Sequence, residues 1–279
     1  MIQRKSFIFE GLKLSFLEYN PEASKTILFA HANGYSAGCY TFYFQELAKR
    51  GFRVIALDFS GHGYSDYNLN FKDWTLYRDQ LLALITHLSL SDIYGIGHSM
   101  GGATMLLASV VEKKVYQGII ALDPVILNMP KILLSRIFGS TIARNAQKRR
   151  DTFPNLQVVK KAFRKFPVFR DWREDMFENY LESCFRETEE GLKLRCSPAL
   201  EAKNFRSCGI QSYFHFGAIK TKTKIIIPEN FEVCSPKAAH RILRGNSESS
   251  LILLKNGTHF FPFEKPDWTL QAILDFLGV

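Results

Sequence analysis

The chain has no apolar run near the ~20 residues that a membrane-spanning helix needs, so an integral membrane protein is not expected. Its five cysteines (Cys39, Cys184, Cys196, Cys208 and Cys234) are odd in number, widely scattered and without a C-x-x-C pair. That pattern argues against a disulfide framework and for reduced, mostly buried thiols. The cysteines and the seven histidines show no metal-ligand spacing, so no metal is expected. Internal repeats and low-complexity tracts are lacking as well. The first residues, Met1 to Phe7, carry charge but no apolar stretch of secretory-signal length. A soluble protein in a reducing, cytoplasmic setting is the expectation.

What is present is a large apolar inventory: 46% hydrophobic residues and 24 phenylalanines in 279 residues. This length suits one full α/β domain with an insertion, or two small domains. The net charge of +9 is unevenly placed. Lys131 to Arg173 holds twelve Lys or Arg against Asp151 and Asp171, a local net charge of +10. The stretch that follows, Glu174 to Glu190, holds seven acids against Arg186.

An alternating pattern around Gly11 predicts an opening β-hairpin. Short, nearly continuous apolar runs follow at 26–30, 53–58, 93–97, 118–123, 224–228 and 250–255. Runs of this kind are strands of a parallel sheet covered on both faces. Helical patterns separate them, for instance Leu81, Leu84, Ile85 and Leu88 on one side of 74–90. The alternation predicts an α/β fold with a doubly wound, mostly parallel sheet. Residues 128–216 break it, with helix-like segments and no comparable buried strand. They read as a helical cap inserted between core segments 1–127 and 217–279, over the sheet edge where such folds bind ligands.

Gly97-His98-Ser99-Met100-Gly101 lies between an apolar run and a helix-like stretch. A G-x-S-x-G there is the sequence form of a strand-to-helix turn that exposes a nucleophile. Ser99 is the candidate nucleophile. A serine hydroxyl needs a base, and His259, in the loop after the last apolar run, is the candidate. The base needs a carboxylate to fix its tautomer. Glu232, four residues before Pro236, is the expected acid, with Asp123 and Glu229 as alternatives. The backbone N–H groups of Met100 and Asn33, the latter in His31-Ala32-Asn33-Gly34, are the expected oxyanion donors.

Together with Asp58-Phe-Ser-Gly-His-Gly-Tyr-Ser and Gly257-Thr-His, these motifs resemble those of the α/β-hydrolase fold serine hydrolases, of the esterase, lipase and lysophospholipase kind with a helical cap, over nearly the whole chain. The resemblance implies that Asp58 to Ser65 is a structural turn and that neither His62 nor His98 is the base. Two departures stand out: Ala32 where the family more often has glycine, and a glutamate where the acid is usually aspartate. A serine at the elbow implies acyl-enzyme chemistry without a cofactor. The expected activity is cleavage of carboxylic esters, small to medium acyl or lipid-derived ones of the lysolipid or monoacylglycerol type. A thioesterase or acyltransferase on the same residues is the alternative, and outside enzymes a non-catalytic ligand-binding protein of this fold. The expected partner is a small-molecule or lipid-derived ester, with a weak contact between the basic segment and an anionic membrane surface, and no nucleic acid.

Overall fold

A computed structural model describes residues 2–127, 141–208, 219–231 and 233–279. Lys131 and Glu232, which figure in the sequence reading, lie outside the described residues.

The chain opens as a hairpin, β1 (Ile2–Phe9) and β2 (Leu12–Tyr19), paired antiparallel from Phe9 and Leu12 outward. The two turn residues, Glu10 and Gly11, have φ of 48° and 79°, the left-handed pair that matches the twist of a two-residue hairpin. The remaining apolar runs become β3 (Lys25–Ala30), β4 (Phe52–Leu57), β5 (Ile93–His98), β6 (Tyr116–Leu122), β10 (Thr223–Pro228) and β11 (Ser250–Leu254). They form an eight-stranded sheet in the order β1-β2-β4-β3-β5-β6-β10-β11, parallel from β4 onward.

Successive residues of the inner strands face opposite layers. Ile27, Phe29, Val54, Ala56, Ile120 and Leu122 join a core with helix α1 (Thr41–Lys49) and the C-terminal helix Pro266–Leu277. Leu28, Ala30, Ile55, Leu57, Ile119 and Ala121 join a second core with α2 (Thr75–His87), α3 (Met100–Val111) and the helix Pro236–Leu243. Burial on both faces explains why these strands are apolar throughout. Strand order reverses direction between β3 and β5, where Ala30 pairs with Gly97. That switch point opens a crevice at the carboxyl ends of the strands.

Residues 141–208 add no strand to this sheet. The expectation of a purely helical segment is corrected in one respect. Thr152–Phe153 (β7), Phe185–Thr188 (β8) and Gly191–Leu194 (β9) form a separate antiparallel sheet in the order β7-β9-β8. Strands of two and four residues are too short for a period-2 pattern to register. Phe153, Phe163, Phe169, Trp172 and Phe177 are buried and belong to the same cluster as α1 and the C-terminal helix. Trp172 stacks on Phe263 at 4.0 Å with an interplanar angle of 12°.

Three members of the basic run meet the acidic run after it. Lys160 pairs with Glu174 and Glu178, Arg164 with Glu174, and Arg173 with Asp175 and Asp267. Exposed pairs of this kind contribute little stability singly. Their effect is to lower the charge that the segment shows to solvent.

Trp172 is 3% exposed and its Nε1–H has no partner among the described residues, so its contribution there is packing. Trp172→Ala should destabilise the protein by about 3–5 kcal/mol in urea unfolding, and Trp172→Phe by much less, because no hydrogen bond is lost.

Candidate active site

Ser99 sits between β5 and α3 with φ 55° and ψ −116°, a conformation that costs a non-glycine residue of order 1–3 kcal/mol. The flanking glycines show why it is held. A Cβ on Gly97 would lie 2.5 Å from the Gly101 carbonyl oxygen, and one on Gly101 would drive into the carbonyl of Ala30. The elbow is therefore packed backbone to backbone against the end of β3. The Ser99 N–H donates to Leu122 O (2.9 Å), and its carbonyl accepts from Ala103 and Val125 (both 3.1 Å).

His259 comes from the loop after β11. Its Nε2 is 2.9 Å from Ser99 Oγ, and its Nδ1 is 2.6 Å from Asp123 Oδ2. A carboxylate only accepts, so in neutral His259 the proton sits on Nδ1 and Nε2 accepts from the serine hydroxyl. Asp123, fully buried, follows β6 with φ 37°. Its N–H donates to Ile226 O at 2.7 Å, and its Oδ1 accepts from Cys234 N at 3.3 Å. The place at Nδ1 is filled by Asp123, one of the two alternatives, and the expected Glu232 lies outside the described residues. Glu229 turns instead to the Asn256 N–H at 2.9 Å. Strands β6 and β10 are neighbours, so a carboxylate at the end of either can approach the same histidine. Chain order alone does not choose between them.

Met100 and Asn33 come from the two segments that meet at the elbow. Met100 is the first residue of α3, so its N–H has no carbonyl partner within the helix. Loop 31–34 follows β3, against the same helix start; a Cβ on Gly101 would be 2.6 Å from the His31 carbonyl oxygen. Three further histidines surround the site in a wholly buried state. Burial pushes the pKa of His31 down to about 4, that of His62 to about 3, and that of His98 well below the ordinary value. His31 Nε2 accepts from Phe59 N (3.0 Å). His98 Nε2–H donates to the His259 carbonyl (2.9 Å), while its Nδ1 accepts from Tyr40 O–H (2.7 Å). Tyr40 Oη accepts in turn from the Ala32 N–H (3.3 Å). The His62 ring nitrogens lie 3.2 Å from the Ser60 carbonyl and 3.4 Å from Asn33 Oδ1. The rings of His62 and His98 are thus turned to partners other than Ser99, and both hold loops. Sequence reading missed these links, and also the partners of Asp58 in its turn: buried, it takes Arg4 (2.8 Å), the Ala37 N–H (2.8 Å) and the Tyr64 N–H (3.1 Å).

Residues 27–272 match the model of the alpha/beta hydrolase family. The chain belongs to that family. It is 23% identical over 269 residues to a 2-hydroxy-6-oxononadienedioate/2-hydroxy-6-oxononatrienedioate hydrolase of Pseudomonas putida, covering 94% of this chain and 91% of that one. A Mycoplasma pneumoniae protein with the provisional name esterase/lipase 2 is 21% identical over 279 residues, covering 95% and 92%. Among solved structures, the fold is similar to E-2-(acetamidomethylene)succinate hydrolase, with TM-score 0.86, 18% identity and full coverage of both chains. It is also similar to a thioesterase domain from the curacin biosynthetic pathway, with TM-score 0.78, 16% identity and coverage of 98% and 99%. Family and relatives support a hydrolase. Among the described residues no helix is long and apolar enough to cross a membrane.

The buried histidines make stability pH-dependent. Their folded pKa values lie below the ordinary 6.5, so the unfolded chain binds more protons below that pH. Their stabilising effect is complete above about pH 6.5 and is lost as pH falls toward 4 and 3. Urea unfolding at pH 7.5, 6 and 5 should show stability falling with pH, with a limiting slope on the order of 1.4 kcal/mol per pH unit for each histidine.

Proposed function

We propose that this hydrolase cleaves carboxylic esters through an acyl-enzyme on Ser99, with small-to-medium acyl or lipid-derived esters as the substrate class. The observation that carries the reading is the continuous line Ser99 Oγ, His259 Nε2, His259 Nδ1, Asp123 Oδ2 at 2.9 and 2.6 Å. Ser99 Oγ attacks the acyl carbon as His259 Nε2 takes its proton. Asp123 stabilises the imidazolium and holds the tautomer. The N–H groups of Met100 and Asn33 receive the developing oxyanion. His259 then gives the proton to the leaving alcohol. Water, activated by the same histidine, attacks the acyl-enzyme, and the acid leaves as Ser99 recovers its proton. Half-buried Phe260, 5.1 Å from the His259 ring, and half-buried Tyr35, 6.1 Å from Phe260, support an apolar acyl group beside the nucleophile.

The test is hydrolysis of p-nitrophenyl esters from acetyl to palmitoyl, paired with labelling by a fluorophosphonate probe. Turnover and labelling should both vanish in Ser99→Ala. Asp123→Asn should lower kcat by about 10³–10⁴-fold, and Glu232→Gln should leave it within about threefold. The reverse ranking would return the acid role to Glu232. A well-folded protein that the probe does not label would sink the serine mechanism, and turnover of acyl thioesters alone would favour a thioesterase.

A further inference from the structure

Asn204 belongs to the helix Pro198–Ser207 of the inserted segment, far in sequence from the residues of the proposed mechanism, yet it is fully buried. Its Nδ2–H donates to Asn33 Oδ1 at 2.7 Å. Its Oδ1 accepts from Tyr77 O–H at 2.6 Å, and its backbone carbonyl accepts from Trp74 Nε1–H at 3.1 Å. The Glu201 carbonyl, which only accepts, settles which way both amides face: it takes the Asn33 Nδ2–H, so Asn33 Oδ1 meets the Asn204 nitrogen and the Asn204 oxygen is left to meet the Tyr77 O–H. Asn33 answers with its own Nδ2–H to the Glu201 carbonyl, one turn earlier on the same helix, at 3.2 Å. Next to it, a Cβ on Gly34 would lie 2.9 Å from Glu201 Oε1. The Glu201 carboxylate is itself gripped by Arg149, at 3.0 and 3.3 Å. The Asn33 side chain is thus engaged on the side of the insertion, with no rotamer freedom left without breaking buried bonds.

We infer that Asn204 is a positioning residue: through the Asn33 side chain it fixes the peptide plane that presents the Asn33 N–H as an oxyanion donor. This rests on the reading of Ser99 as an acylated nucleophile. It assigns a share of the transition-state geometry to a helix of the insertion, which binds no part of the oxyanion itself. Loss of the link lets the loop relax, and a donor off line by part of an ångström loses much of the benefit of a preorganised one. Ground-state binding of the acyl group, made elsewhere, is untouched.

The experiment compares wild type, Asn204→Ala and Tyr77→Phe in the full-length protein. It measures kcat and KM on the best p-nitrophenyl ester, the inhibition constant of an alkyl trifluoromethyl ketone, whose tetrahedral adduct needs the same donors, and end-point titration of Ser99 by the fluorophosphonate. In Asn204→Ala, kcat should fall roughly 10- to 100-fold with KM within threefold. The ketone should weaken by the same factor as kcat/KM, while Ser99 remains fully titratable. Tyr77→Phe, which removes one hydroxyl, should show the same signature at roughly 3- to 10-fold and decides the matter if Asn204→Ala does not fold. Unchanged kcat/KM in folded variants would overturn the inference, as would a loss matched by fewer titratable sites or by KM alone. If wild type is not labelled, or Ser99→Ala is labelled equally, the serine mechanism fails and this inference with it. Normal labelling with indifferent variants removes only the positioning role.

Discussion

The site hangs on one close approach: the first turn of α3 lies against the end of β3 so tightly that Gly101 has no room for a Cβ beside the Ala30 carbonyl. That contact bends the chain at Ser99 into a left-handed conformation and leaves its side chain at the crevice. The strain is offset by α3 itself, whose residues from Met100 to Ser109 are all buried. Burial of each apolar side chain stabilises by about 1.5–3 kcal/mol, more than the distortion costs. With α3 fixed, the parallel sheet brings the ends of β3, β5, β6 and β11 to one edge. One residue from each following loop is then enough to assemble the line from Asp123 to Ser99.

Around that line the interior is polar. An unsatisfied donor or acceptor in such a place costs about 1–3 kcal/mol. The buried histidines therefore do more than fill space. Neutral His98 has one acceptor nitrogen and one donor nitrogen, and it meets Tyr40 with the first and the His259 carbonyl with the second. Because Tyr40 also receives the Ala32 N–H, the loop carrying Asn33, the elbow and the loop carrying His259 share one chain of hydrogen bonds. Movement of any one of the three strands a buried group on another.

Local rules carried much of this in the sequence. The elbow follows from glycine spacing and the doubly wound sheet from apolar runs; His259 follows from its place after the last strand. The acid was not legible in the same way. Asp123 and Glu232 both follow strands in the right chain order, and because β6 and β10 are neighbours a carboxylate after either can reach the same histidine. Aspartate at 123 is held by Cys234 N and by the turn at positive φ, neither of which has a pattern. The three short strands after residue 150 were illegible because their pairing is set by Phe153, Phe185 and Leu194 entering a core built elsewhere. The charge asymmetry was visible, but not that Lys160, Arg164 and Arg173 would be paired within the same segment.

The inserted segment is therefore not an appendage placed over a finished site. Tyr35 of the loop after β3, Trp172 of the insertion and Phe263 of the short helix Phe261–Glu264 after β11 make one aromatic stack. The Arg173 N–H donates to the Phe263 carbonyl at 3.0 Å. On the other side of the loop after β3, Asn204 and Glu201 grip Asn33 and crowd Gly34. Both loops flanking Ser99 are thus held between sheet and insertion, one by rings and one by amides. A segment that packs its rings against one loop and braces the backbone of the other cannot be exchanged for another of different sequence without moving both.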